Sequence, residues 1–61
     1  MSGYDFFLNK DVVIKQKDKW KIFGLLIDYD KNLVFIRFKD GSVKALSKDS
    51  IEKIEVDRYD P

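Results

Sequence analysis

The 61-residue chain contains no cysteine and no histidine. Without cysteine there is no disulfide, no thiolate nucleophile and no thiolate metal ligand. Without histidine the side chain that titrates closest to neutrality is missing, both as an acid–base catalyst and as a metal ligand. These absences exclude a zinc finger, a Ser-His or Cys-His nucleophile pair and a disulfide-stapled scaffold. The one proline is Pro61, so no element is interrupted by a residue lacking its N–H. The net charge is only +1, which excludes a global polycation. No apolar run approaches the roughly 18 residues of a membrane span, and no signal peptide is legible. A cytoplasmic location and no membrane partner are therefore expected. A domain this small has little room for a catalytic cleft, so no enzyme, no cofactor, no metal and no small-molecule substrate are expected either.

What the chain does contain is 44% hydrophobic and 38% charged residues, a balance that folds. Its length allows one domain, residues 1–61. A chain of this mass buries about 60% of its unfolded surface. That burial is worth on the order of 95 kcal/mol at ~25 cal/mol per Å². Ordering the chain at ~1.5 kcal/mol per residue costs about as much. A partner that covered more apolar surface would weigh heavily in such a balance.

Charge is distributed unevenly. Residues 10–21 carry five lysines against two aspartates, and residues 31–48 carry Lys31, Arg37, Lys39, Lys44 and Lys48 against Asp40. The last stretch, residues 49–61, holds five acids against Lys53 and Arg58. A basic middle and an acidic end can present a local positive face on a nearly neutral protein.

Residues 2–9 fit a short helix, with Ser2 as N-cap, Asp5 in the first turn and Tyr4, Phe7 and Leu8 on one face. Residues 11–16 alternate as a strand. Lys17-Asp18-Lys19 is a polar turn. Residues 20–29 form a long strand apolar on both faces, which requires cover on both, the helix being the second cover. Gly24 in its middle marks a bend, a bulge or a close backbone approach. Trp20, at the strand start, fits a plug at one end of a barrel. Residues 33–39 form the next strand. Asp40-Gly41 then matches a two-residue type I′ hairpin turn, which sets Arg37 opposite Lys44 and Ile36 opposite Ala45. In that register Val34, Ile36, Phe38, Val43 and Ala45 line the core, while Phe35 and Leu46 face outward. Residues 47–50 fit a single 3₁₀ turn, residues 51–56 a last strand, and residues 57–61 a tail. One helix and five short antiparallel strands predict a mainly β fold: a small, strongly bent five-stranded barrel over residues 11–56.

Several segments are similar to the Sm-like (LSm/Hfq) family of small β-barrels, over roughly residues 4–56. They are the strand Leu8-Asn9-Lys10-Asp11-Val12-Val13-Ile14, the run Gly24-Leu25-Leu26-Ile27-Asp28-Tyr29-Asp30, the stretch Asn32-Leu33-Val34-Phe35, and the end Ser50-Ile51-Glu52-Lys53-Ile54-Glu55-Val56. Either Asp28 or Asp30 fits the family's aspartate. The resemblance implies oligonucleotide binding and ring assembly through strand edges. At the position of the family's stacking side chain stands Asp30, and Ala45-Leu46-Ser47 stands where an arginine-glycine pair is expected. Barrels of the Src-homology-3 and Tudor types share the same coarse pattern.

Two functions follow as expectations. The first is a nucleic-acid-binding module for RNA or DNA, with salt-dependent contacts from Arg37, Lys39, Lys44 and Lys31, stacking by Phe35 or Tyr29, and Asn32 at a base edge. The second is a protein-interaction or assembly module without nucleic acid. It would use an open strand edge and the outward Phe35 and Leu46, with a homo-oligomer as one outcome.

Overall fold

The computed structural model describes residues 3–57, and the Ser2 cap and the tail beyond residue 57 lie outside the described residues. A 3₁₀ turn at Gly3–Phe7 leads into β1 (Asp11–Gln16), β2 (Lys21–Tyr29), β3 (Leu33–Arg37) and β4 (Val43–Ser47). A second 3₁₀ turn, Lys48–Ser50, connects to β5 (Ile51–Val56). All pairings are antiparallel, and the sheet order is β4-β3-β2-β1-β5. The fold class and the strand positions match the sequence reading, apart from closure. The edge strands β4 and β5 pair with each other nowhere among the described residues, so the sheet curls without closing into a barrel.

The inner face holds the core: Val12, Ile14, Leu26, Val34, Ile36 and Leu46, all buried. Tyr4, Phe7, Ile22, Tyr29, Phe38, Ile51 and Ile54 pack around it. The N-terminal segment is a 3₁₀ turn rather than the longer helix expected. It ends where Asn9 takes a positive φ of 64°, and it is pinned to β2 by the Asn9 N–H donating to the Leu26 carbonyl at 2.7 Å. Too short to cover a second face, it covers one end of the core with Tyr4 and Phe7. The outer face of β2 therefore stays open, and Phe23 is 56% exposed. Trp20 is 73% exposed, so it does not plug the fold.

The β1–β2 and β3–β4 hairpins both use three-residue loops. In each, the loop's third N–H donates back to the residue before the loop, and that residue's N–H donates across to the residue after it. Lys19 and Gly41 donate to Gln16 and Phe38, and the Gln16 and Phe38 N–H groups bond to Trp20 and Ser42. The middle aspartate of each loop, Asp18 or Asp40, accepts from the N–H two residues on. This is a type I turn followed by a left-handed residue. Gly41 takes that conformation at φ 91°, and Lys19 takes it at φ 78°. The expected type I′ turn would need positive φ at Asp40 as well, and Asp40 does not have it.

The extra loop residue shifts β4 by one. Arg37 faces Val43, Ile36 faces Lys44, Phe35 faces Ala45 and Val34 faces Leu46. A one-residue slip exchanges the two faces of a strand. Leu46 is thus the core residue of β4, whereas Val43 and Ala45 are exposed on the outer face. Gly24 lies on the inner side of β2, where a Cβ would stand 2.9 Å from the Arg37 carbonyl oxygen and would overlap the Ile36 side chain. Close backbone approach is what this glycine permits.

Candidate functional site

The seven residues expected to contact nucleic acid separate into distinct places. Phe35 and Arg37 share the outer face of β3, Phe35 half-buried and Arg37 exposed. Lys39 lies beside them in the hairpin loop. Arg37 and Lys39 line a groove of about 520 Å³ with Phe23 and Leu25, but Asp11 and Asp57 line it too. Lys44, facing Ile36, sits on the opposite side of the sheet from Arg37. The like-charge pair expected of Arg37 and Lys44 does not exist. Lys31 and Asn32 occupy the β2–β3 turn, where the Asp30 carboxylate accepts from the N–H groups of Asn32 and Leu33, both at 2.8 Å. These two bonds hold the Asp30 carboxyl below its usual range. The Asn32 carbonyl accepts from the Lys48 N–H at 2.8 Å, which ties this turn to the start of the second 3₁₀ turn.

Tyr29 points to the core side and is already engaged. Its hydroxyl donates to the Asp5 carboxylate, which raises the tyrosine's pKa above the ordinary value, with desolvation adding to the effect. Its ring lies 6.0 Å from that of Tyr4. The Lys48 ammonium stands over both rings, 4.6 Å from Tyr4 and 5.2 Å from Tyr29. This cluster ties the N-terminal turn, the β2–β3 turn and the second 3₁₀ turn together.

Another arrangement escaped the sequence reading. On the outer face Lys21 faces Lys15 across β2 and β1, and Lys15 faces Lys53 across β1 and β5. Like charges directly opposite on adjacent strands repel. The Glu55 carboxylate, which Lys21 also acts on, relieves the row: the Lys53 ammonium bonds it within the same strand at 2.9 Å. That bond raises the Lys53 pKa and lowers that of Glu55. The next row inward is Phe23, Val13 and Glu55. The Lys15–Lys21 half follows from the three-residue loop at Lys17-Asp18-Lys19. The Lys53 half depends on a nonlocal pairing that no local pattern signals.

The two open edges complete the picture. The Asp57 N–H bonds the Asp11 carbonyl at 2.8 Å. This fixes the alternation on β5 as far as Lys53, so Lys53 and Glu55 bond to β1 while the backbone groups of Ile54 and Val56 face the open edge; beyond Lys53 the ladder is shifted by a bulge in which Glu52 is the extra residue. On β4 the Phe38–Ser42 bond sets the same logic, and the backbone groups of Val43 and Ala45 face outward along the edge, while the Ser47 carbonyl accepts from the Ser50 hydroxyl at 2.8 Å. A groove of about 570 Å³ runs beside β5, lined by Phe6, Phe7, Ile54 and Val56 among others. Phe6 is 59% exposed there.

No protein-family model matches the chain. No curated protein matches it by sequence. Among solved structures it is similar to a chain in a complex described as the structural basis of Dcp1:Dcp2 mRNA decapping complex activation by Edc3 and Scd6. The TM-score is 0.79 at 17% sequence identity, over 92% of this chain. This chain spans 60% of the length of that one. At that identity the likeness shows a shared small β fold.

Proposed function

We propose that this domain is a non-catalytic protein-interaction and assembly module that takes up another polypeptide as an added strand. The observation that carries this reading is the pair of open sheet edges, each with a free row of backbone donors and acceptors. An unpaired edge is a template for another chain. β4 carries a single charge, Lys44, beside exposed Val43 and Ala45, so little guards it. The structural neighbour supports the reading because it belongs to a multi-protein complex. Short N-terminal turn, five strands and a glycine in the long second strand support an Sm-like assignment of the fold.

The test is selection of binders from a displayed random-peptide library, followed by counter-screening. Ala45→Pro and Val56→Pro each place a proline where the N–H faces an open edge, so no ladder bond is lost. Binders that one of these substitutions abolishes support the reading. Binders indifferent to both contradict it.

A second reading is nucleic-acid binding, favoured by the lysine row beside exposed Phe23. Cations next to open aromatic planes suit a single strand. Labelled oligo-U that binds, with affinity falling steeply as salt rises, would establish it.

A further inference from the structure

We propose that two copies of this chain join through β5, antiparallel about a two-fold axis at Ile54, so that Lys53 of each copy faces Glu55 of the other. The proposal deepens the edge-assembly reading and rests on it.

Backbone geometry comes first. The outward-facing groups of β5 are those of Ile54 and Val56, with the Glu52 carbonyl, which lies opposite the Lys53 N–H in the same peptide. An antiparallel pair centred on Ile54 sets Ile54 opposite Ile54 and Glu52 opposite Val56. Every one of these pairs is then of the hydrogen-bonded type, and the free row on each copy is satisfied. A centre on Lys53 or Glu55 pairs outward-facing groups as well, but it sets lysine opposite lysine or glutamate opposite glutamate.

Charge points to the same register. With the axis at Ile54, the non-hydrogen-bonded pairs are Lys53 with Glu55 of the second copy, and the reverse. Residues in such pairs stand closest across a ladder. The lysine row Lys21-Lys15-Lys53 would then end on a carboxylate from the second copy, and the Phe23-Val13-Glu55 row would end on its lysine. The 2.9 Å bond between Lys53 and Glu55 within one strand shows that both side chains lie on one face, within reach of each other. The surface is self-complementary, as a two-fold interface requires. β4 offers no such match, because its only charge is Lys44.

Apolar cover supplies the third reason. The added strand would lay its Ile54 and Val56 beside the groove lined by Phe6, Phe7, Ile54 and Val56. It would also cover Phe6.

The experiment is light scattering, at low and moderate salt, on the wild type, Lys53→Glu, Glu55→Lys, their 1:1 mixture and the double variant. A wild-type dimer is expected. Either single variant should dissociate it by about tenfold or more, because both cross-copy pairs become like-charged. The mixture should recover the dimer, since an all-acid strand then meets an all-lysine strand, and so should the double variant. Recovery in the mixture itself shows that both single variants fold. Lys53→Glu also sets an acid opposite Lys15, so its fold is not compromised.

A wild-type monomer overturns the proposal, as does a dimer or larger assembly whose mass ignores all charge reversals. If Val56→Pro dissociates that charge-insensitive assembly, edge assembly stands and only the Ile54-centred register falls. If neither Val56→Pro nor Ala45→Pro changes it, both fall.

Discussion

Replacing Gly24 with alanine tests how the sheet is bent. A Cβ at this position would stand 2.9 Å from the Arg37 carbonyl oxygen and would overlap a γ-carbon of Ile36. Neither neighbour can give way cheaply. Arg37 is held in the ladder opposite Leu25, and Ile36 is fully buried. Overpacking of this kind costs roughly 1–3 kcal/mol. A backbone obstacle puts Gly24→Ala in the upper half of that range. Alanine recovers about 0.4–1 kcal/mol by restricting the unfolded chain. The net is a loss of about 2 kcal/mol, which for a domain of this size lowers the melting temperature by roughly 8–16 °C. Circular dichroism melts measure it. Gly41→Ala is the comparison, because nothing lies within 4 Å of its Cβ and only the positive φ is strained. That strain costs about 1–2 kcal/mol. A Gly24→Ala melt within about 2 °C of the wild type, or one less affected than Gly41→Ala, would refute the close-approach account.

Other outcomes follow from the same geometry. Lys19→Gly should raise the melting temperature by a few degrees, roughly the relief of a left-handed lysine, because the exposed ion pair it gives up with Glu52 contributes little. A lower melting temperature would show that the ion pair dominates. Arg37→Ser and Lys44→Ser should be additive in stability to within about 0.5 kcal/mol, since the two side chains lie on opposite faces. Coupling well above that value in a double-mutant cycle would restore the facing pair. Acid should weaken the fold. The carboxyls of Asp30, Asp40 and Glu55 are lowered from ordinary values of 3.8, 3.8 and 4.5. Such groups contribute stability above those values and lose it as pH falls through their folded-state pKa. The urea midpoint should therefore hold between about pH 7 and 5 and decline below about pH 4, with a shallower decline in Asp40→Asn. A midpoint unchanged down to about pH 2.5 would contradict this assignment.

The strands were legible because alternation is a local property. Val12 and Ile14, or Val34 and Ile36, declare their face within a few residues. The 3₁₀ turn at 48–50 was legible from its polar run, and its Ser47 oxygen caps the Asp49 N–H as such runs do. Register was harder. Asp40-Gly41 reads equally as the middle of a two-residue loop or the end of a three-residue one. The choice rests on whether Asp40 adopts positive φ or caps Ser42 with its carboxylate, through both the N–H and the hydroxyl. It caps. That single residue moved Lys44 away from Arg37 and exchanged Leu46 for Val43 and Ala45 in the core. The same shift separates Lys44 from Arg37 and Lys39 in the expected binding set, and Tyr29 is engaged by Asp5, Tyr4 and Lys48, which are distant in sequence. The lysine row needed the pairing of the first strand with the last, which only the folded chain supplies.

The central claim is that an open sheet edge takes up another chain. The most direct measurement is the solution mass of the wild type beside those of Val56→Pro and Ala45→Pro, with circular dichroism confirming that all three are folded. The account expects the wild type above its 7.2 kDa monomer mass and a proline variant at it. Equal masses for the three folded proteins would contradict it.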